Sequence, residues 1–484
     1  MKFNLLRWFG ILILSSLSPG IVYAAGDPEP GPVLEAMKKA VAFYRDKLAV
    51  HGGYASAWKK DLSEGQVEHS ASKTVISIQP HGTTTVGLAL VEAYRATGEK
   101  LFFTAANEAA NSLIECQLES GGWPSDFDFA PDKAAKYYLR SDKEEKNEEQ
   151  GKRRNLSTLD DNKTQSALRF LVELASLPES KENGDLHSCL EYAMEKLFAA
   201  QAPNGAFPQQ WDVALDDNLP VKKASYPDSW SREYPKEQYH RYYTLNDNNL
   251  LNAVEMLLRA RDLTGEDRYL ERAKKVGDFL LLAQMPDPQP AWAQQYNFET
   301  QPVWARKFEP PSLSSGESFG AIETLFQLWV VSGDEKYRAP LARALDWLEK
   351  SALPDGTWAR FYELKTNRPL YCEADTYKVT YDGSNTPSHY GFNIGNLSGK
   401  IERMRENLAR DREDLLRKRN SEPSSKESWE KRARDLRGKV KQALKEQEPD
   451  GYWLRGDLID AGEFVKHIRT MASYVEASRK SSAE

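Results

Sequence analysis

The chain has 484 residues, with 65 Lys and Arg against 72 Asp and Glu, so its formal net charge is −7. This balance argues against a nucleic-acid partner, because such proteins carry an excess of basic residues on one face. It does not exclude an acidic substrate, since the local site and not the total charge decides that. The length suits one large domain or two ordinary ones.

The first residues have the layout of a secretory signal. A short basic region with Lys2 and Arg7 precedes an apolar run over 8–17, and small residues follow at Ala24 and Ala25. The run is short for a membrane span. We therefore expect residues 1–25 to be a cleaved signal peptide, with an uncleaved anchor as the alternative. The mature protein is expected to be secreted or periplasmic, free of the membrane and monomeric.

Three cysteines are present, and none lies in a Cys-x-x-Cys pair, so a zinc cluster is not indicated. They are Cys116, Cys189 and Cys372. In an oxidising compartment Cys116 and Cys189 would be able to pair, and two buried free thiols are the alternative.

Internal repetition is the clearest signal along the chain. Residues 88–117, 251–284 and 321–353 each contain an apolar helical segment, a Gly-acidic turn and a second helical segment. Residues 165–202 form a looser copy. Apolar residues recur at helical spacing in both arms, and Gly at the turn suits a left-handed helix end.

Three of these copies end in a loop that combines Gly with an aromatic residue, at 121–124, 204–208 and 355–358. Such loops are expected on one rim, where their aromatic rings either stack on sugars or fill the core. Helix pairs that cannot bury their faces alone must pack side by side. We therefore predict an all-α fold, an α/α toroid, with an open superhelix as the alternative.

Two charged regions interrupt the repeat. Residues 132–155 are read as a solvated insertion, because they are almost free of apolar residues. Residues 399–484 are read as a charged helical C-terminal extension. The toroid is then expected over 26–398.

Two short clusters of Asp and Asn open successive helices. One contains Asp160, Asp161 and Asn162, and the other contains Asn246, Asp247 and Asn248. One interpretation is that each cluster simply caps its helix. One cap needs one side chain, however, and each cluster offers three. If the clusters converge, they supply the hard oxygen ligands that calcium takes.

Basic and aromatic residues share two later loops. The first runs from Trp292 through Trp304, Arg306 and Lys307, and the second contains Arg360 and Arg368. Arginine forks fit carboxylates bidentately, so these loops suit a polymer with one carboxylate per sugar. A structural pairing of Arg306 with Glu309 or Glu317 is the alternative.

Taken together, these segments resemble polysaccharide lyase family 10, the pectate lyases with an α/α-toroid fold. The matching stretches are TLDDNKTQSALRFL, NGAFPQQW, YTLNDNN, AWAQQY, PVWARKFEPPSLSSGES and DGTWARFYELKTNRP, spread over about 52–381. The stretch from Trp304 to Ser318 is the most specific.

The resemblance implies calcium-dependent β-elimination of polygalacturonate, with loss of the C5 proton and expulsion of the C4 oxygen. It implies that Asp160 and Asp247 hold Ca²⁺, with Asp161 and Asn248 among the neighbouring ligands. Arg306 would be the base, either as such or as an electrostatic clamp, since arginine normally stays charged. The residues expected to bind substrate are Lys307, Arg360, Arg368, Trp304 and Trp292.

One position departs from the family pattern, because Ala374 stands where a second basic residue is expected. This puts the efficiency or the particular uronate in doubt more than the fold. Two rival functions remain. A glycoside hydrolase on the same toroid would use two carboxyl groups such as Asp160 and Asp247. A noncatalytic uronate-binding protein would bind polygalacturonate with calcium and release no product.

Overall fold

A computed structural model of the protein describes residues 27–68, 70–142, 152–421 and 423–482. The expected signal peptide lies outside these residues. The α-helices are α1 (Pro30–Phe43), α2 (Thr83–Thr97), α3 (Lys100–Glu115), α4 (Pro131–Ala134), α5 (Lys163–Ala175), α6 (Gly184–Ala199), α7 (Asn249–Thr264), α8 (Asp267–Ala283), α9 (Ser315–Ser332), α10 (Glu335–Arg338), α11 (Leu341–Lys350), α12 (Ser398–Leu408), α13 (Arg412–Asn420), α14 (Lys426–Glu446) and α15 (Ala461–Ser482).

The strands are short and join the loops at the helix ends. They are β1 (Ala57–Lys59), β2 (Gly65–Gln66), β3 (Ala71–Ser72), β4 (Val75–Ser77), β5 (Asp126–Asp128), β6 (Ser157–Thr158), β7 (Gln210–Trp211), β8 (Tyr243–Thr244), β9 (Gln295–Tyr296), β10 (Leu313–Ser314), β11 (Phe361–Tyr362), β12 (Pro369–Cys372), β13 (Val379–Thr380), β14 (Leu454–Arg455) and β15 (Leu458–Asp460).

The Gly-acidic turns of the repeat are helix ends, as predicted. Gly98, Gly265 and Gly333 follow α2, α7 and α9 with φ of 74°, 74° and 73°. Glycine adopts this left-handed conformation without the steric cost that a Cβ would bring. The chain can therefore reverse directly into the second helix of each pair.

The helix pairs pack side by side in a ring. Among the inner helices, α2 packs against both α15 and α5, α5 packs against α7, and α7 packs against α9. Helix α13 packs against α9, and α14 packs against α15. Helix α14 follows α13 in the chain and also packs against α1, so the row of helices leads back to the first helices. The predicted α/α toroid is confirmed.

The two ends of the chain complete this ring together. Helix α15 packs against both α1 and α2. Phe464, Ile468 and Val475 on α15 are fully buried in the same hydrophobic core as the first helix pairs. The prediction of a separate extension over 399–484 therefore does not hold for this helix. That prediction gave too much weight to the charged residues. They cover one face of α15, while the apolar residues on its other face pack into the core of the ring.

The tryptophans that follow the outer helices are buried in the core and hydrogen-bonded to those helices. Trp123, Trp292, Trp358 and Trp453 are at most 2% exposed. Each indole Nε1 donates a hydrogen bond of 2.7–2.8 Å to a carbonyl near the end of the preceding helix. The rings of Trp123 and Trp358 thus fill the core, which is one of the two alternatives expected for their loops.

The Gly-aromatic loops also hold neighbouring pairs together. Gly205 has a φ of 93°, and a Cβ at this position would lie 1.8 Å from the Lys275 carbonyl oxygen on α8. Only glycine allows the loop backbone to approach the next outer helix this closely.

Three of the short strands lead directly into inner helices. Strand β6 pairs with β7 and β8 pairs with β9, while β10 joins β11, β12 and β13 in one antiparallel sheet. The segments after β6, β8 and β10 begin α5, α7 and α9. The N-terminal ends of these three helices therefore open on one rim of the toroid.

The charged insertion is held at its base. Tyr138 N donates to Arg154 O at 2.9 Å, and Arg154 N donates to Lys136 O at 2.8 Å. Residues 143–151 of the expected solvated insertion lie outside the described residues.

Cys116, Cys189 and Cys372 are free and buried. Within the described ranges, no helix combines the length and apolar character needed to cross a membrane.

Candidate functional site

Two loops of the rim share an unusual backbone. Asp161 and Asn162 have φ of 47° and 62°, and Asp247 and Asn248 have φ of 49° and 57°. Two successive left-handed residues with side chains are strained, although Asn and Asp tolerate this region better than most residues. Each pair connects a two-residue strand to an inner helix, so the repeat places the same strained turn at the entrance of α5 and of α7.

These turns bring three carboxylates together, as the sequence predicts. Oxygens of Asp160, Asp161 and Asp247 all lie within 4.8 Å of one another, and each residue is half-buried. Asp160 Oδ1 accepts a hydrogen bond of 2.7 Å from Gln209 Nε2. Asn246 Nδ2 donates to Asp247 Oδ2 at 2.6 Å. The two clusters of Asp and Asn thus converge from neighbouring helix pairs into one site, here called the carboxylate cluster (Asp160, Asp161 and Asp247).

The cluster carries excess negative charge. The pKa of Asp247 is raised to about 6, chiefly by burial and also by the charges of Glu317, Asp161 and Asp160, while the charge of Arg306 partly offsets this rise. Like charges that share a small volume disfavour ionisation unless a cation joins them. The electrostatics of the cluster therefore fit a bound cation.

The donor set also fits calcium. Carboxylate oxygens are the hard ligands that calcium takes. The Asn246 Oδ1 atom beside the carboxylates is buried and has no hydrogen-bond partner among the described residues. Asp160, Asp161 and Asp247 would hold the ion. The Asn248 side chain faces α9, since a Cβ added at Gly320 would lie 2.3 Å from Asn248 Oδ1.

Arg306 lies beside the cluster but is bound to a carboxylate of its own loop. Its Nε and Nη2 donate to the two oxygens of Glu309 at 2.9 and 2.5 Å. Glu309 is 2% exposed. Burial lowers the pKa of Arg306, but the hydrogen bonds and charge of Glu309 more than offset this and raise it above its ordinary value. The pairing that was the structural alternative for Arg306 is thus observed, and it favours the charged guanidinium.

Arg360 reaches the same region from the next loop. Its Nη1 lies 3.6 Å from Glu317 Oε1, and its Nε donates to Gly391 O at 2.8 Å. Glu317 is 5% exposed and accepts a hydrogen bond from Ser314 Oγ. The charges of Arg306 and Arg360 both act on Asp247, so the two arginines lie near the carboxylate cluster.

One tyrosine lies under both arginines. The Arg306 and Arg360 guanidinium carbons lie 5.4 and 4.9 Å from the Tyr390 ring centroid. The Tyr390 hydroxyl donates to Glu309 Oε1 at 2.9 Å. Sequence reasoning missed Tyr390, because its loop carries no repeat and no motif that separates it from other polar loops.

The other residues predicted to bind substrate are placed differently. Lys307 is exposed, with its Nζ 3.7 Å from the Tyr377 ring centroid. Arg368 is exposed and stacks 3.5 Å from the Tyr381 ring centroid. Both remain free to meet a ligand, but their contacts lie with these rings and not with the carboxylate cluster.

The two tryptophans expected to bind substrate are buried. Trp292 is 0% exposed and donates its Nε1 to Leu280 O, which does not support the expected contact with substrate. Trp304 is 7% exposed and donates its Nε1 to Ser231 O at 2.9 Å. Both rings serve the core and the loop contacts because their indole N–H groups need a buried partner.

The segment before β8 supplies two more residues that sequence reasoning missed. Burial and the charge of Glu309 raise the pKa of Tyr239 to about 12. Burial and the charge of Arg241 lower the pKa of His240, which also faces Asp160. Tyr239 and His240 have charged and aromatic neighbours on both sides in the sequence. No local pattern therefore distinguishes them as site residues.

One comparison with known proteins agrees with this site. Residues 128–357 match the family model described as pectic acid lyase. The resemblance to the pectic acid lyases is confirmed. The matched segment contains the carboxylate cluster and Arg306. The match supports a polysaccharide lyase. A comparison with curated proteins found no match.

Among solved structures, a mutant of a family 10 polysaccharide lyase from Cellvibrio cellulosa, in complex with trigalacturonic acid, is 19% identical. It covers 68% of this chain and 99% of its own, with a TM-score of 0.45. A family 76 glycoside hydrolase (mannosidase) from Bacteroides thetaiotaomicron is 12% identical over 93% of this chain and 99% of its own, with a TM-score of 0.43. A cellobiose 2-epimerase from Bacillus thermoamylovorans is 13% identical over 93% and 99%, with a TM-score of 0.42.

Proposed function

We propose that this protein is a calcium-dependent pectate lyase that cleaves polygalacturonate by β-elimination, outside the cytoplasm. The observation that carries the proposal is the meeting of the carboxylate cluster with Arg306 and Arg360 at one rim. An anionic polymer can approach three aspartates only if cations lie between them. A bound calcium ion and two guanidinium groups would provide those cations.

The chemistry explains why both kinds of group are needed. The proton at C5 of a uronate is weakly acidic, because the carbanion adds charge next to a carboxylate. When bound, calcium supplies positive charge at that carboxylate. Arg306 and Arg360 supply further fixed positive charge, and they need no reorganisation because Glu309, Glu317 and Tyr390 already hold them.

Arg306 remains our choice for the catalytic residue, and its surroundings support a role as a positively charged group. Its bidentate pairing with Glu309 and its raised pKa favour a charged side chain. A charged guanidinium stabilises the developing carbanion and orients the uronate. Proton removal by Arg306, which the resemblance implies, would first require the neutral form.

The geometry of the carboxylates favours a lyase over a hydrolase. Oxygens of the three aspartates lie within 4.8 Å of one another. The two carboxyl groups of an inverting glycosidase stand about 6.5–9.5 Å apart, and those of a retaining enzyme about 5–5.5 Å. One oxygen of each aspartate can therefore reach a single shared cation, and a hydrolase that works with two carboxyl groups does not need that arrangement.

The test is the ultraviolet absorbance of polygalacturonate incubated with the mature chain, with calcium and then with a chelator. We expect growth of the absorbance of the C4–C5 unsaturated product, supported by calcium and abolished by the chelator. New reducing ends without absorbance would show the hydrolase instead. Binding of polygalacturonate without any product would show the noncatalytic binding protein.

A further inference from the structure

Lys163 brings a positive charge into the carboxylate cluster from inside the fold. It is the first residue of α5, and its side chain is 3% exposed. Its Nζ lies 3.5 Å from Asp160 Oδ2 and 3.4 Å from Asp161 Oδ2. The strained turn at Asp161 and Asn162 directs the chain so that this lysine enters the helix beneath the two aspartates.

This ion pair differs from those on the surface of the molecule. Exposed pairs are screened by water and contribute little. Lys163 is shielded from solvent, so its attraction to the two aspartates acts in a medium of lower dielectric. A buried ammonium without partners would be costly, so the lysine and the aspartates stabilise each other.

The charge count of the cluster points to competition with a metal. The three aspartates alone carry a charge of −3, and Lys163 reduces it to −2, so the lysine weakens the attraction of the cluster for a cation. The lysine binds two of the same carboxylates that would hold the ion. Its ammonium is a compact charge on a flexible stem, so it can withdraw without movement of the helix.

We propose that Lys163 is a built-in counterion that competes with calcium for Asp160 and Asp161 and thereby sets the calcium affinity of the site. The inference rests on the proposed function, in which these aspartates hold calcium. In the calcium-free protein the ammonium holds the two carboxylates together. When calcium enters, it takes over these oxygens and the lysine is displaced from them.

The test compares the wild type with Lys163→Met, which keeps the length of the side chain and removes its charge. Calcium binding is measured by isothermal titration calorimetry on the purified mature chain at neutral pH. We expect the Kd for calcium to fall by about 10-fold or more, because one unit charge next to a divalent ion is worth that much even in a water-like dielectric. Urea unfolding in a chelator should show a less stable protein than the wild type.

The matched control is Lys196→Met on α6. Lys196 Nζ lies 3.1 Å from Glu119 Oε1, so this variant also removes one lysine from an ion pair. Its calcium Kd should equal that of the wild type. Lys163→Gln, measured in parallel, removes the same charge but keeps a hydrogen-bond donor in case the methionine variant does not fold.

The outcomes separate the inference from the proposed function. An unchanged Kd in both Lys163 variants leaves the calcium site standing and overturns the competition. Weaker calcium binding in these variants also overturns it, since the lysine would then support the ion. If neither the wild type nor the variants bind calcium, the proposed calcium site fails and the inference fails with it.

Discussion

Two kinds of loop repeat around the rim of this toroid, and they repeat for different reasons. The Gly-aromatic loops end in tryptophans such as Trp123 and Trp358, which are at most 2% exposed and donate to helix carbonyls. The Asp/Asn loops place half-buried carboxylates next to each other at the entrances of α5 and α7. Repetition shows that a position is structurally equivalent, whereas burial and charge show which of the repeated loops can meet a ligand.

The largest effect is expected when one of the buried tryptophans is removed. Trp292→Ala should lower the free energy of unfolding by about 3–5 kcal/mol, since a buried indole and its hydrogen bond are lost. Urea unfolding measures the loss. The fraction that remains folded should keep the wild-type KM for polygalacturonate. A folded variant with a raised KM would show that the ring binds substrate after all.

The matching change in the Asp/Asn loops should leave the fold and remove the function. Asp247→Asn keeps the size of the side chain and the left-handed backbone, which asparagine tolerates. We expect lyase activity to fall by at least about 100-fold, because a direct metal ligand matters at least as much as the groups that orient it. Activity at saturating calcium and the thermal midpoint in chelator are measured together. Full activity would exclude Asp247 from the calcium site.

The pH dependence sharpens the same comparison. The pKa of Asp247 is raised to about 6 because of burial and the neighbouring Glu317, Asp161 and Asp160. The folded, calcium-free protein therefore binds a proton there that the unfolded chain has already lost. Stability from this group is present below about pH 4 and is lost as pH rises through 6.

Calcium should reverse this loss. We expect calcium to stabilise the protein more at pH 7.5 than at pH 5 by about 1–2 kcal/mol, after allowing for solvent at this half-buried group. Urea unfolding with calcium and with chelator at both values of pH gives the difference. An equal effect of calcium at pH 5 and pH 7.5 would contradict the role of Asp247.

The smallest expected effect distinguishes two roles of Arg306. Glu309→Gln keeps one acceptor oxygen for the guanidinium, replaces the other with an amide donor, and removes the charge that raises the pKa of Arg306. If Arg306 acts through its charge, activity should fall by less than about 10-fold, as expected for weakening a charge-assisted hydrogen bond, with an unchanged pH profile. If Arg306 removes the proton, the profile should move to lower pH. Activity from pH 6 to pH 10 decides between them.

Much of the fold was readable from the order of the residues. The period of the apolar positions and the glycines at 98, 265 and 333 are local features, so they predicted the helix pairs and their turns. The convergence of Asp160 with Asp247 was also predictable, because equivalent loops of a repeat must lie on one rim. The calcium ligands, however, remain a proposal supported by this geometry.

Other features were not readable because they depend on contacts between distant segments. Helix α15 packs against α1 and α2, although more than 350 residues separate α15 from α2. The same holds for Tyr390, which reaches Arg306 across 84 positions.

The sequence by itself determined the repeating helix pairs, the Asp/Asn clusters and the arginine-rich loops, since each depends on residues within one helical hairpin or one loop. Only the tertiary structure decided which tryptophans are buried, which of the alternatives holds for Arg306, and that Lys163 is shielded from solvent beside Asp160 and Asp161. Burial depends on how segments far apart in the chain pack around one another, and a local sequence pattern does not contain that information.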